Sequence, residues 1–373
     1  MTNSNIKICS NPKSNKHDET MKDATTTVFG QRLVNARKMR CLSQRDLCEK
    51  LDGLVSANAI AKYETGQMMP TSEVQAALAI ALEVDVDYFH HPITISIPEQ
   101  AWKFRKRSSL GNKQIAAIQQ SATDQMERIN DIEAVCNIKP HFPLDYGDTT
   151  VATFIQAEAM AQRLRHDLGL ANAPFFAPIE RLESLGVRIV EVDADDKFDG
   201  TSAMADNTPL LVLNATYLPE RKRFTLFHEL AHLLLHFAEG ADEEHLCHAF
   251  ASEMLLPTPV LLARLGTKRR GITLEELQGL QRNYGISIEA IMYKAHQHGI
   301  INDAYYKRFN VEIHKKTNEN LRNQVRKSLW QPETTTYLRQ LVLQAFSNQL
   351  ITSAKAASLL GVEVETIKEL VFV

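Results

Sequence analysis

The segment RFTLFHELAHLLLH constrains the fold most, because two histidines and a glutamate fall inside one run of apolar residues and good helix formers. In a helix, His228 and His232 lie one turn apart on the same face, where both imidazoles can bind one Zn²⁺ ion. Glu229 follows the first histidine and projects beside the metal, where its carboxylate can take a proton from water. The pattern predicts a helix with a zinc site and Glu229 as the catalytic base.

A catalytic zinc needs a third protein ligand, which the next predicted helix, DEEHLCHAFASEMLLP, can supply. Glu244 and His248 are four residues apart, so they share a helix face, and Ala251 continues that face toward the core. Acidic residues are also favoured at a helix start by the helix dipole alone. We predict Glu244 as the third ligand, with His248 and Glu243 as the alternatives.

Four neighbouring residues have weaker claims to the site. Arg223 and Tyr217 precede the helix and could stabilise an oxyanion. His236 continues the histidine stripe by one turn, which is too far along the helix to share the same ion easily. Cys247 is expected to be a small buried residue behind the metal.

A second pattern, two adjacent helix starts, lies within CLSQRDLCEKLDGLVSANAIAKYETGQMMPTSEV. Ser43 can cap the first helix, with Asp46 completing a variant of the capping box, and Ser56 can cap the second. Small and amide side chains at the exposed start of a short helix suit reading of the DNA major groove. The predicted DNA-contacting residues are Gln44, Ser56, Ala57, Asn58 and Lys62. Basic residues of the preceding helix, which could touch the DNA backbone, are Arg32, Arg37, Lys38 and Arg40.

The arrangement of these patterns predicts a mainly α chain with an α+β domain. The expected parts are a disordered tail (1–26), an all-α helix-turn-helix domain (27–92), a helical spacer and linker (93–150), a metal-binding domain (151–310) and a C-terminal helical region (311–373). In the larger domain, a helical pattern precedes the probable strands VRIVEV and PLLVLN. PLLVLN is expected to be an exposed edge that could pair with an extended peptide.

Bulk composition excludes several classes of protein. The chain has 373 residues, 44% of them hydrophobic and 23% charged, so it can form more than one globular domain. A formal net charge of −3 excludes a polycation, so nucleic-acid binding would need a local basic surface. The cysteines form no C-x-x-C pair, and no segment has the pattern of a signal peptide or membrane span. We therefore expect a cytoplasmic protein without membrane contact.

The motifs resemble two known families. The first domain resembles the phage-repressor-type (XRE/Cro-like) helix-turn-helix family through L-S-Q-x-x-L, K-Y-E-T-G and the following P-T-S. The larger domain resembles the ImmA/IrrE family of metallopeptidases through DGTSA, PLLVLN, RFTLFHELAHLLLH, CHAFASEMLLP and LQRNYGISIEAIMYKAHQHGII. Together the resemblances cover roughly residues 28 to 305.

The resemblance implies a zincin-like fold, with a small sheet and the H-E-x-x-H helix. It also implies zinc bound by His228, His232 and Glu244, with Glu229 as base. The implied function is a DNA-binding transcriptional regulator with zinc-dependent endopeptidase activity, which cleaves a repressor or similar regulatory protein in a stress or mobile-element response. Its partners would be double-stranded operator DNA, the protein substrate and a second copy in a homodimer. The alternative is a non-proteolytic regulator or antitoxin-like protein with a structural or sensing metal site.

Overall fold

The computed structural model describes residues 14–103, 110–139, 141–144, 146, 149–205 and 207–370. They divide into two units, each of which has its own packed interior. The first unit comprises the described residues within 1–96, 111–127 and 352–373, and the second those within 97–110 and 128–351. The predicted fold class, mainly α with an α+β domain, is confirmed.

The division into units differs from the predicted boundaries in two places. The predicted spacer 93–150 contains helix α5 (Asn112–Val135), which is shared between the units at residue 127. The predicted C-terminal region 311–373 is divided at residue 352. Local composition does not reveal such divisions, because unit membership depends on which distant residues a helix packs against.

The described residues of the first unit form helices joined by turns and loops, without a strand. Besides part of α5 and a short 3-10 helix, Val86–His90, it contains α1 (Ser14–Met39), α2 (Gln44–Lys50), α3 (Ala57–Glu64), α4 (Ser72–Leu82), α16 (Ser353–Leu360) and α17 (Val364–Leu370). Its interior includes Phe29, Leu33, Leu47, Ile60 and Phe89. The last two helices lie within the C-terminal region that the sequence predicts to be helical.

Helix α1 begins inside the segment predicted to be a disordered tail. That tail was expected to extend to residue 26, whereas the helix starts at Ser14; residues 1–13 lie outside the described residues. No glycine or proline interrupts the sequence from Ser14 to Phe29. A helix nucleated by the buried turn at Phe29 and Leu33 can therefore extend toward the N-terminus, since elongation costs less than nucleation.

Both predicted helix caps of the first unit are present. The Ser43 hydroxyl accepts from the Asp46 backbone N–H, and the Asp46 carboxylate accepts from the Ser43 N–H at 2.7 Å, which completes the capping box. The Ser56 hydroxyl accepts from the Ala59 N–H at 3.2 Å and caps α3. These local bonds fix where α2 and α3 begin.

The second unit combines helices with two small sheets. Its helices after α5 are α6 (Phe154–Asp167), α7 (Pro178–Ser184), α8 (Pro219–Leu234), α9 (Glu243–Leu255), α10 (Thr258–Leu265), α11 (Leu274–Tyr284), α12 (Ile288–Gln297), α13 (Asp303–His314), α14 (Glu319–Arg326) and α15 (Tyr337–Ser347). Its strands are β1 (Thr150–Val151), β2 (Arg188–Val192), β3 (Gly200–Ala205), β4 (Thr208–Asn214) and β5 (His236–Phe237). Short 3-10 helices cover Glu99–Ala101 and Lys316–Asn318.

The sheet corrects the prediction that PLLVLN is an exposed edge. This segment forms β4, the central strand, which pairs in parallel with β2 and antiparallel with β3. All seven residues of β4 are buried. A continuous apolar run is typical of a strand covered on both faces, whereas edge strands usually carry polar or charged interruptions. The two outer strands are β2 and β3, and β3 was hard to predict from propensity because most of its residues are small.

No single helix among the described residues is long and apolar enough to cross a membrane. Helices α9 and α10 reach the necessary length and composition only as a pair, which is bent by 68°.

Candidate metal centre and nucleic-acid interface

Helix α8 carries the two histidines of the candidate metal centre. Pro219 occupies its first turn, where a missing N–H costs nothing and the fixed φ favours the helix. His228 is 1% exposed, and the helical spacing brings its Nε2 atom to 3.2 Å from Nε2 of His232. The two imidazole nitrogens therefore point to the same place.

Helix α9 brings a carboxylate to those nitrogens. Asp242 caps this helix by accepting from the His245 N–H, which sets Glu244 in the first turn. The two carboxylate oxygens of Glu244 lie 3.4 Å from Nε2 of His228 and 3.5 Å from Nε2 of His232. Among the described residues, these three side chains are the group whose ligand atoms converge closely enough to hold a metal ion.

The separations suit a tetrahedral zinc site. Zinc bonds of about 2.0–2.2 Å at tetrahedral angles would place two ligand atoms about 3.3–3.6 Å apart. The observed separations between the nitrogens and oxygens run from 3.2 to 3.5 Å. Two imidazoles and one carboxylate are also a common donor set of catalytic zinc, which leaves a fourth position for water or substrate. These residues therefore fit zinc.

The two alternative third ligands lie elsewhere. The ring of His248 packs against that of His228, with centroids 4.8 Å apart, and also against Phe224. Glu243 is exposed, and neither residue belongs to the convergent group found among the described residues. The geometry thus favours Glu244 over both.

Cys247 lies behind His232, as its expected role requires. It is fully buried, and its Sγ is 3.5 Å from Nδ1 of His232. The tautomer in which Nδ1 carries the proton and donates to this sulfur leaves the Nε2 lone pair for the metal side. Cys247 can therefore orient the ring without being a ligand.

Glu229, the predicted base, is held by a residue that the sequence analysis did not identify. The Glu229 side chain is buried, and its Oε2 accepts a hydrogen bond from the Ser202 hydroxyl at 3.1 Å. Ser202 lies on β3, which approaches α8 so closely that a Cβ at Gly200 would be 3.1 Å from Cγ of Glu229 and 2.6 Å from Thr225. The available signal was DGTSA, whose small residues permit this close approach.

The weaker candidates have structural roles. Arg223 is buried and donates to the carbonyl oxygens of Phe175 and Gly285. Burial lowers its pKa to about 10, so it stays charged at neutral pH beside Glu333. The Tyr217 hydroxyl donates to the Asp196 carbonyl oxygen. His236 does not extend the helix at all, because α8 ends at Leu234 and His236 begins β5.

The candidate DNA-contacting residues divide into outward and inward groups. Asn58 and Lys62 on α3 are exposed, as is Ser56, and Ala57 is half-buried beside them. Gln44 instead turns inward, because its amide donates to Glu64 at 2.7 Å.

The arginines of α1 and Arg40, which directly follows it, bind other residues of the same unit. Arg37 donates to Glu64 and to the Leu42 carbonyl, and buried Arg32 pairs with Glu127 at 2.6 Å. The Arg40 guanidinium lies 3.1 Å from the Glu83 carboxylate. The first turn of α3 therefore offers the better-exposed candidate surface for DNA.

The close crossing of α1 and α3 positions this surface. A Cβ at Gly30 would lie 2.5 Å from the Glu64 carbonyl oxygen and 2.7 Å from that of Tyr63. The missing side chain at Gly30 thus lets the C-terminal end of α3 rest on α1. Its N-terminal end, with Ser56 and Asn58, stays accessible.

Two family models match the chain. Residues 33–89 match a helix-turn-helix model, and residues 182–296 match the peptidase M78 model, described as an IrrE N-terminal-like domain. They confirm the predicted order of a helix-turn-helix domain followed by an IrrE-like domain, and they support a DNA-binding regulator that carries a peptidase-like domain. The second match includes the whole candidate metal centre. None of the curated proteins matches the chain.

Proposed function

We propose that this chain, which joins a helix-turn-helix domain to an IrrE-like domain, is a transcriptional regulator with zinc-dependent endopeptidase activity. Its substrate would be a repressor or similar regulatory protein, cleaved in a stress or mobile-element response. The observation that carries the proposal is the convergence of His228, His232 and Glu244 beside the buried carboxylate of Glu229. A structural metal site has no need of that fourth side chain.

The reaction would be hydrolysis of a peptide bond by water. Zinc bound by the three ligands would supply Lewis acidity toward the water and the scissile carbonyl. The Glu229 carboxylate accepts a proton from the attacking water as the C–O bond forms, and then gives it to the leaving nitrogen as the C–N bond breaks. Ser202 donates to Glu229 and so fixes which oxygen faces the reacting water.

The substrate strand would run along β3. Zinc peptidases of this helix type need an extended substrate next to the metal, and backbone pairing with a sheet edge supplies that geometry. Both β2 and β3 lie at edges of the sheet, and β3 carries Ser202, whose hydroxyl donates to Glu229, so the outer edge of β3 is the one we assign to substrate.

The helix-turn-helix unit would recruit the peptidase to operator DNA. Asn58 and Lys62 present an amide and a cation from one short helix, the groups used for base and phosphate contacts. Binding at the operator in the cytoplasm raises the local concentration of a repressor bound nearby without requiring tight protein–protein affinity. A homodimer would match the paired half-sites that such domains use.

The peptidase is tested with zinc analysis and cleavage of the repressors encoded beside this gene. Wild type should bind about one zinc per chain and cleave one of them. Glu229→Gln should keep its zinc and lose about 10²- to 10⁴-fold in kcat. Glu239→Gln, an exposed glutamate near the end of β5, is the matched control and should behave as wild type. Zinc and DNA binding without cleavage by any variant would instead favour the non-proteolytic regulator.

DNA binding is tested by the salt dependence of affinity for the operator. Lys62→Ala should lower the slope of log K against log salt by about one unit, since one phosphate contact is lost. The control is Lys50→Ala, an exposed lysine that lies 3.7 Å from Glu83 in the same unit. Equal slopes in wild type and Lys62→Ala would remove Lys62 from the interface.

A further inference from the structure

The outer edge of β3 already carries a short piece of this chain. Trp102 forms an antiparallel bridge with Ala203, and the Lys103 N–H donates to the Ser202 carbonyl oxygen at 2.8 Å. This piece follows the 3-10 helix Glu99–Ala101, and Trp102 itself has the extended backbone of a strand. We call residues 99–103, which comprise the 3-10 helix and the two paired residues after it, the edge segment.

The edge segment touches the same residue that holds the proposed base. Ser202 accepts from Lys103 through its backbone carbonyl, and it donates to Glu229 through its hydroxyl at 3.1 Å. A polypeptide paired at this point of β3 is therefore separated from Glu229 by a single residue. This is the position that the proposed substrate strand would need.

The edge segment pairs with β3 over a short stretch. Its backbone makes one bridge, whereas β3 and β4 pair over six residues in register. Trp102 anchors the segment, because this residue is 8% exposed and lies opposite fully buried Ala203. A buried tryptophan removes about 150–250 Å² from water, so one side chain can hold a segment that its backbone bonds hold weakly.

We propose that the edge segment is an internal occupant of the substrate-binding edge, and that an incoming polypeptide displaces it. The paired residues Trp102 and Lys103 define the class of partner: a segment that runs antiparallel to β3 at this point, with a large aromatic side chain at the register position of Trp102. The small side chain of Ala203 leaves room for that residue, as it does for Trp102. This inference rests on the proposed function for the identity of the displacing strand.

The test compares two variants of Lys103, one that removes its backbone hydrogen bond and one that removes only its charged side chain. Proline lacks the N–H that donates to Ser202, and Trp102 is already extended, with φ −81° and ψ 131°, as a residue before proline should be. Lys103→Pro removes the bond, whereas Lys103→Ala removes the charged side chain and keeps the N–H. Both are made in the full chain with Glu229→Gln, so that a bound peptide is not cut.

The probe is a fluorescein-labelled synthetic peptide with the sequence IPEQAWK, residues 97–103 of this chain. In anisotropy titrations, Lys103→Pro should bind it about tenfold more tightly than Lys103→Ala, the effect of losing one backbone hydrogen bond in the internal competitor. Trp102→Ala should open the edge further and bind more tightly still. The peptide IPEQAAK, which lacks the aromatic anchor, should bind all variants weakly.

Two results would overturn the proposal. One is that Lys103→Pro and Lys103→Ala bind the peptide IPEQAWK with equal affinity. The other is that IPEQAWK and IPEQAAK bind with equal affinity. Thermal melts accompany each titration; if Trp102→Ala does not fold, the two Lys103 variants decide. Because binding is read without cleavage, a failed peptidase assay leaves this result interpretable, and failed peptide exchange leaves the peptidase test untouched.

Discussion

Two clusters of histidine and carboxylate lie along the same helix, α9, and they differ in what supplies the positive charge. At the start of the helix, Glu244 faces His228 and His232, three side chains that all offer lone pairs to one point. Toward its end, fully buried Glu253 pairs with fully buried Lys294. The first cluster needs a cation from solution, whereas the second contains its own.

In the second cluster, ion pairs and hydrogen bonds within the protein surround the charged groups. Lys294 also lies 3.2 Å from Glu158, which is 2.8 Å from Nε2 of His298. Glu253 accepts from Thr258 and from Gln162 as well. Burial by itself would raise the pKa of Glu253, but Lys294 and these bonds reverse the effect and hold the pKa below its usual range. Similar residue types therefore make a candidate metal site or a structural ion network, depending on whether lysine is among them.

The largest expected effect comes from removing the internal cation. Lys294→Met should reduce the free energy of unfolding by about 3–5 kcal/mol, because it leaves buried carboxylates uncompensated. Zinc content at neutral pH should not change. Denaturant unfolding and metal analysis measure both. Adding Glu253→Gln should restore part of the stability, and a loss of zinc in Lys294→Met would contradict the separation of the two clusters.

The next largest effect is expected at the candidate metal ligand. Changes around a ligand typically cost 10- to 100-fold in metal affinity, so Glu244→Ala should weaken zinc binding by more than about 100-fold. Glu243→Ala removes the neighbouring exposed carboxylate and should leave zinc affinity unchanged. Competition with a fluorescent zinc chelator measures both constants. Equal losses in the two variants would mean that the acidic helix start binds zinc only through its general charge.

A smaller effect is expected from the residue that orients the base. Ser202→Ala should reduce kcat about tenfold, with KM and zinc content unchanged, since one hydrogen bond to a charged group is lost. Ser252→Ala is the control, because its buried hydroxyl donates only within α9, to the Ala249 carbonyl oxygen. If both serine variants lose the same activity, the loss reflects packing and not the position of Glu229.

The last effect is confined to the acidic to neutral pH range and concerns Glu183, a buried carboxylate outside both clusters. Glu183 is surrounded by Thr335, Arg188, Glu191 and Glu333, and its burial raises its pKa to about 7. In the folded chain it thus keeps a proton that the unfolded chain loses near its ordinary pKa of 4.5. The free energy of unfolding must therefore fall as pH rises through this interval.

Glu183→Gln should reduce that fall, measured as the difference in unfolding free energy between about pH 5 and about pH 8, by about 2–3 kcal/mol, because the interval from 4.5 to about 7 corresponds to about 1.36 kcal/mol per pH unit. Glu180→Gln, on the same short helix but exposed, should leave the pH dependence as in wild type. A steeper fall in Glu183→Gln would contradict the raised pKa.

Much of both units could be predicted from the sequence because their signals are local. The caps at Ser43 and Ser56 depend on residues three positions away, and the pairing of His228 with His232 depends on one helical turn. For the third zinc ligand, the sequence predicted Glu244 but left His248 and Glu243 as alternatives. Helix spacing cannot tell which side chain of α9 meets α8, since that depends on how the two helices pack.

The sequence by itself determined where α2 and α3 begin, the two domain types and which residues are candidates to bind zinc or read DNA. Tertiary structure alone decided that β4 is central, that Gln44 turns inward to Glu64, and that Ser202 reaches Glu229. It also placed Trp102 on the edge of β3, far from that strand in sequence. The reason is physical: caps and helix faces follow from neighbours within a turn, whereas strand order and partners across the core follow from packing between distant segments.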